Sequence, residues 1–522
     1  MNKRDGWFLW AWVLVCACST VGAQLPQNAQ QVQRMAPTLA PLTALAVSVQ
    51  SQHMANSGAR PLELVCPRKG PAPGRLAMAP AEPTEIPDDA DIEQALKEAR
   101  EPLDARLTTP PRTGALRPEK TSHLHIAIWG DSHMAAAFFS DQLLRQLAGP
   151  AGPNANTVSS RFVHAGVGHG GVRALVQKTC LTGEWAREMA YAHGDAAAAP
   201  GPGMTSLVAK KPGAMLALDL RDAQGLARHT RLQLLHHGDA SGPARLAISV
   251  DGEVETQLTL TTQAGPNALA LSTDVALSTL QIRVLEGSFR FQGIKLPESA
   301  TPASTAAPLH LDLFAYPGAT VAGWVRSDLA YLASWFTDQP YDLALIAFGT
   351  NEGNDPRFNE ATYRDTLNKA LGNFRQVFPQ TQCVLLSPGD RGIRVAKSKT
   401  AKANKATKGN QKQAANKQDP KAKSSKNNTA VKPKTSPPST PAANLLKYSR
   451  IHAQIGQIQT ELAAQHGCLA WSMQEAMGGV GSAYTWARKN PPLMAPDLIH
   501  FTAAGYRELA NRFMADFGLT AP

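Results

Sequence analysis

Leu124-His125-Ile126-Ala127-Ile128-Trp129, followed at once by Gly130-Asp131-Ser132-His133, is the stretch on which the fold turns. The first six residues form an apolar run of strand length, rich in isoleucine. From Met134 to Leu147 the apolar residues Met134, Phe138, Leu143 and Leu147 return at helical spacing. Ser132 therefore falls where a strand turns into a helix. Such a turn sets a hydroxyl at the carboxyl edge of a sheet, beside the unpaired N–H groups of a helix N-terminus. A nucleophile next to ready anion-stabilising donors is the arrangement acyl transfer requires. Asp and Ser also cap helices for structural reasons alone, so the turn needs company before it argues for chemistry.

Two further segments supply it. Leu345-Ile346-Ala347-Phe348-Gly349-Thr350-Asn351-Glu352 is a second apolar strand ending in a polar loop. Asp497-Leu498-Ile499-His500-Phe501-Thr502 stands just before a helical stretch from Tyr506 to Phe513. In an open α/β sheet, loops at the carboxyl ends of strands converge on one edge. Ser132, Asn351 and the Asp497/His500 pair are thus candidates for a single site.

Together these segments resemble the SGNH (GDSL-type) hydrolases. The first family block matches Gly130 to Ser132, the third (Gly-x-Asn) Gly349 to Asn351, and the fifth (Asp-x-x-His) Asp497 to His500. The second block, a glycine after the next strand, fits Leu311 to Thr320 with Gly318 as its glycine. His133 stands where most members carry leucine. This exchange, with Gly318-Ala319-Thr320 and Gly349-Thr350-Asn351-Glu352, resembles the peptidoglycan O-acetylesterase branch. The resemblance covers about residues 121–165 and 310–520. It implies a three-layer α/β/α core on a parallel sheet, and removal of O-acetyl groups from a cell-wall glycan, with the muramoyl C6 acetyl as target.

The residues carry the same chemistry without the family. A serine hydroxyl needs a base, and His500 is the candidate, since the ordinary histidine pKa lies near neutrality. Asp497 can accept from the other ring nitrogen and fix the tautomer. The N–H groups of Ser132 and Gly318 and the amide of Asn351 are the candidate oxyanion donors. His133 is read as a shaper of the turn or pocket wall, or as a direct participant. No Gly-x-Ser-x-Gly elbow surrounds Ser132, and no metal motif or phosphate loop is present. Neither cofactor nor metal is expected. An acetyltransferase of the same fold is the first alternative, since only the acceptor differs. A non-catalytic wall-binding protein is the second.

The remainder of the 522 residues sets the context. Lys3-Arg4, an apolar stretch from Trp7 to Ala17 and small residues ending at Ala23 read as a signal peptide over 1–23. The stretch is short for a membrane span, and no second one follows. The expected location is the periplasm, with attachment as a lipoprotein through Cys18 as the variant. Export leaves Cys66, Cys180, Cys383 and Cys468, which allow three pairings. Cys383 and Cys468 each begin a strand of the expected sheet at its amino edge, which favours Cys383–Cys468 and leaves Cys66–Cys180.

Residues 24–86, rich in Ala, Pro and Gln, are expected to be a disordered tether. A helix is predicted from about Asp91 to Arg106. Between about 170 and 309 the apolar period becomes two, with short runs such as Arg245–Val250 and Leu280–Val284 and turn signals at Asp251-Gly252 and Glu286-Gly287. An inserted antiparallel β-sandwich is expected, either carbohydrate-binding or a spacer that shapes the cleft. Trp185 and Tyr191 are either sugar-stacking or core. The hydrolase domain is thus expected in two pieces, 121–165 and 310–522.

Residues 395–440 contain twelve lysines against one aspartate and no aromatic side chain. They account for the whole formal net charge of +11, so the other 40 basic and 40 acidic residues balance. A disordered basic loop is expected, either a tolerated insertion or a contact for anionic wall or envelope polymer. Nucleic acid is not an expected partner, given export and the absence of aromatic residues in the tract.

Overall fold

The first apolar run is the strand Leu124–Gly130 (β1) of a six-stranded parallel sheet. The others are Val158–Ser159 (β2), Leu309–Ala315 (β3), Leu343–Ala347 (β4), Gln382–Ser387 (β5) and Leu469–Ser472 (β6), in the spatial order β6-β5-β4-β1-β3-β2. The structure is a computed structural model. It describes residues 44–48, 64, 66, 84–103, 116, 124–148, 158–173, 176–192, 198–222, 224–238, 242–260, 263–297, 309–337, 341–396 and 442–519. The expectations for the leader, most of the tether and residues 397–440 lie outside these.

Both faces of the sheet are covered, which is why β1 reads as a continuous apolar run. Ala127 and Trp129 point into one core, with Phe314, Ile346 and Leu385. Its outer wall includes the helices Ala322–Arg326 (α3), Glu360–Val377 (α5) and Lys447–Gln465 (α6). Ile126 and Ile128 point into the other core, against Phe139 and Leu143 of Phe138–Leu147 (α2) and Leu509 and Phe513 of Ala503–Asp516 (α7). Trp129 is fully buried and stacks on Phe314 at 5.1 Å.

The chain between β2 and β3, joined by Ala44–Ser48, builds two more sheets. One runs in the order Ala44–Ser48, Gly265–Leu277, His229–Gly238, Phe289–Lys295, Thr205–Ala209, Trp185–Met189, with Phe162–His164 also on Phe289–Lys295. The other runs Thr256–Thr259, Arg245–Val250, Thr279–Glu286, Met215–Asp219, Lys178–Thr182. Leu246, Ile248, Leu280 and Ile282 of the second share a core with Leu232, Leu234, Phe289 and Phe291 of the first. Every pairing within these sheets is antiparallel except that of Ala44–Ser48.

Several boundaries differ from the sequence reading. Phe162–His164 belongs to this antiparallel unit and not to the parallel sheet, because it pairs with Gly293–Lys295. Ala44–Ser48, inside the stretch read as tether, adds a parallel strand beside Ala268–Ser272. The predicted helix runs Asp89–Leu103. Trp185 and Tyr191 pack against the cores, and the Trp185 indole donates to the Thr182 and Met215 carbonyls. Disulfides join Cys66 to Cys180 and Cys383 to Cys468.

The antiparallel unit is rooted on Asp312 of β3. Its buried carboxylate accepts the N–H groups of Arg161 (2.7 Å) and Phe162 (3.1 Å) and the hydroxyls of Ser160 and Tyr341. The Leu296 N–H closes onto the Arg161 carbonyl at 2.7 Å, so both crossings are tied together. Among the described residues no helix is long and apolar enough to cross a membrane.

Candidate active site

Three loops at the carboxyl ends of β1, β3 and β4 are stitched by their backbones. Tyr316 N–H donates to the Gly130 carbonyl (3.1 Å), and Asp131 N–H to the Ala347 carbonyl (3.2 Å). A side chain at Gly130 would meet that same Ala347 oxygen at 3.1 Å and Met134 at 2.8 Å, so glycine is needed where β1 ends. Asp131 then caps the short helix Ser132–Ala135 (α1), accepting from the His133 N–H at 2.9 Å. Burial pushes the Asp131 carboxyl up to about 6, against the hydrogen bonds it accepts.

Ser132 is the first residue of α1, and its Oγ lies 3.0 Å from Nε2 of His500. Nδ1 of His500 lies 2.7 Å from an Asp497 carboxylate oxygen. The other Asp497 oxygen accepts the N–H groups of Ile499 and His500, both at 3.0 Å. Burial tends to raise this carboxyl, but the His500 ring and the two N–H donors outweigh it and hold it below the usual range. An ionised Asp497 keeps the proton on Nδ1, leaving the Nε2 lone pair for the serine.

The Asp497–His500 turn is held in an uncommon shape. Leu498 has φ +56° and is fully buried, and its carbonyl accepts from Gly392 N–H at 3.0 Å. Ala495 N–H bonds the His500 carbonyl at 2.7 Å. A left-handed leucine persists only where its surroundings over-determine it.

Gly318 adopts φ +82°, with open space where a side chain would stand. Asn351 lies in the one-turn helix Thr350–Gly353 (α4), and its amide donates to the Ala319 carbonyl at 2.8 Å. That bond uses one amide hydrogen and leaves the second for a ligand. Gly318, Asn351, Ser132, Asp497 and His500 thus lie in loops gathered at one edge of the sheet.

His133 is buried with its ring 5.4 Å from that of His500 and 5.2 Å from Phe501. The Tyr506 hydroxyl lies 3.2 Å from its Nδ1. Burial first, then the neighbouring His500, pushes its pKa down to about 3. A neutral imidazole therefore forms the wall behind the catalytic candidate.

Glu352 is the residue whose place the sequence reading missed. Its carboxylate accepts the Gly349 N–H at 3.1 Å and the Val321 N–H at 2.9 Å. Glutamate three residues after the residue that precedes a helix can reach back to that residue's N–H, which is the glutamate half of a capping box, and that pattern signals the first bond. Burial pushes this carboxyl up to about 7.

No protein-family model matches the chain, and no curated protein does. Among solved structures it is similar to a peptidoglycan O-acetylesterase, with 17% identity and a TM-score of 0.52, over 78% of this chain and 99% of that one. A family two carbohydrate esterase from Clostridium thermocellum aligns with 9% identity and a TM-score of 0.25, over 60% and 94%. A salicylyl-acyltransferase from a tetracycline biosynthetic pathway aligns with 15% identity and a TM-score of 0.22, over 60% and 84%. At such identities the first likeness speaks for the fold, and the resemblance to SGNH hydrolases holds at that level.

Proposed function

We propose that this chain is an exported serine esterase that removes O-acetyl groups from peptidoglycan or a related cell-wall glycan. The observation that carries the reading is the Ser132–His500–Asp497 relay, with Oγ 3.0 Å from Nε2 and Nδ1 2.7 Å from the carboxylate. His500 Nε2 takes the Ser132 proton as Oγ bonds to the acetyl carbonyl carbon. The carbonyl electron pair moves to oxygen, facing the N–H groups of Ser132 and Gly318 and the free hydrogen of the Asn351 amide. Collapse breaks the bond to the glycan oxygen, which leaves with the proton from His500. Water then repeats the sequence on acetyl-Ser132, releasing acetate.

Export rests on the leader at 1–23, and the glycan on the residues flanking the blocks: His133, Gly318-Ala319-Thr320 and Glu352. In this reading the antiparallel unit is an inserted β-sandwich that either holds glycan or shapes the cleft. The lysine-rich tract is its contact for anionic wall polymer. The test is acetate release from O-acetylated peptidoglycan, beside acetylated xylan and a small aryl acetate. Release fastest from peptidoglycan is expected. Activity on the aryl ester alone would defeat the glycan assignment, and release only when a second glycan accepts the acetyl would favour a transferase.

A further inference from the structure

We infer that Glu352 is a positioning residue that fixes the distance between two oxyanion donors, the Gly318 N–H and the Asn351 amide. The inference rests on the esterase reading. Two loops must present these donors to one oxygen, and they arrive from different strands, β3 and β4. Helix α4, which carries Asn351, spans only Thr350–Gly353 and is too short to hold its own geometry. Three hydrogen bonds join it to the Gly318 loop or brace its start. Asn351 reaches across to the Ala319 carbonyl (2.8 Å), Glu352 reaches across to the Val321 N–H (2.9 Å), and the other Glu352 oxygen holds the Gly349 N–H (3.1 Å). A helix cap alone would need only the last. The bond to Val321, three residues past Gly318, does nothing for the helix and ties the loops.

The chemistry of the group sharpens the point. A carboxylate behind an oxyanion hole opposes the negative charge that develops there, and this one is desolvated, with Asp131 as an acidic neighbour. Its benefit is therefore geometric, and the two effects have opposite signs. Glu352→Gln removes the opposing charge but replaces one acceptor oxygen by an NH2 group. Each oxygen faces a separate backbone N–H, so the amide can satisfy only one of them.

If geometry dominates, E352Q lowers kcat on a small acetate ester by about tenfold or more, with KM within about threefold of wild type, because oxyanion donors act mainly in the transition state. A second variant removes the donor instead of the acceptor. Val321 has φ −62°, which proline adopts, so V321P deletes the N–H and leaves the Glu352 carboxyl itself unchanged. It should reproduce the kcat loss at a similar KM. An unchanged or raised kcat in E352Q, with an active wild type, overturns the inference and leaves the esterase reading standing. A loss confined to KM, or failure of both variants to fold, also overturns it. An inactive wild type would overturn the esterase reading and this inference with it.

Discussion

The parallel sheet and the two antiparallel sheets bury similar side chains, yet the candidate catalytic groups gather at the edge of the first. The strands of the parallel sheet are covered on both faces, so a polar side chain within them has nowhere to go but an internal partner, as Asp312 has. Reactive groups are then displaced to the strand ends, where successive loops are backbone neighbours. Ser132, Gly318 and Asn351 meet for that reason, and the turn before α7 brings His500 to them. In the antiparallel unit strands such as Thr256–Thr259 and Thr279–Glu286 turn alternate residues outward, so polar groups spread over its surface. Its ion pairs, such as Arg245–Glu286 and Arg283–Glu255, are solvent-exposed or partly so and are worth little each. A fold places its chemistry where its backbone converges, and the predictions below test whether that division is real.

The largest effect should come from Ser132→Ala, which removes the proposed nucleophile from the converging edge. Acetate release should fall by about a thousandfold or more, with the thermal midpoint nearly unchanged, because little packs on this hydroxyl. Wild-type turnover in the variant would show that the edge is not the site. Asn351→Ala comes next. The loss in kcat should be on the order of a hundredfold, with KM little altered. A change in KM alone would make Asn351 a substrate anchor.

Most of this edge was legible in the sequence because each piece is local. A strand-to-helix turn, a Gly-x-Asn and an Asp-x-x-His are read from a few residues. The second Glu352 bond was not, since it reaches Val321 across 31 positions. The antiparallel unit was readable where one face is wet, as at Thr256–Thr259, but not at Thr205–Ala209, where every residue is buried and no period of two survives. Its true start at Phe162–His164 depends on a pairing partner more than a hundred residues away.

The third test addresses the other region. Ile282 is fully buried between the two antiparallel sheets. Ile282→Ala should cost about 3 kcal/mol of stability in thermal or urea unfolding. Turnover per folded molecule should remain at the wild-type value on a small ester. A fall in kcat matching the loss in stability would erase the division between the regions and make this unit part of the cleft.

A smaller effect separates burial from catalysis within the edge itself. His133 is neutral in the fold, with a pKa of about 3 against 6.5 when exposed. The unfolded chain therefore takes up the proton first, so stability is full above pH 6.5 and is lost as pH falls. At pH 5 the cost is about 2 kcal/mol. His500, His452, Asp497 and Asp131 surround it and remain in both proteins when His133→Leu is made. The stability difference between pH 7 and pH 5 should shrink by about that amount in the variant. Equal acid sensitivity in the two proteins would mean that His133 is already protonated in the fold.

The smallest effect on catalysis is expected from the lysine-rich tract. Its first two residues, Val395 and Ala396, pair with Thr84–Glu85, so they belong with the folded part and should be kept. Replacing residues 397–440 by a short Gly/Ser linker should leave hydrolysis of a small acetate ester unchanged, since closure entropy changes only slowly with loop length. Activity on insoluble wall material should behave differently. Lysines that draw the enzyme to an anionic polymer act through exposed charge, which salt screens over about 10 Å at 0.1 M. Wall-bound activity of the intact chain should therefore decline with added salt, and that of the shortened chain should be low from the start and insensitive to it. Equal wall binding by the two at low salt would make the tract a tolerated insertion. Loss of activity on the small ester would instead carry the site beyond the strand ends, through Gly389 to Arg394, into a region that the division above leaves out.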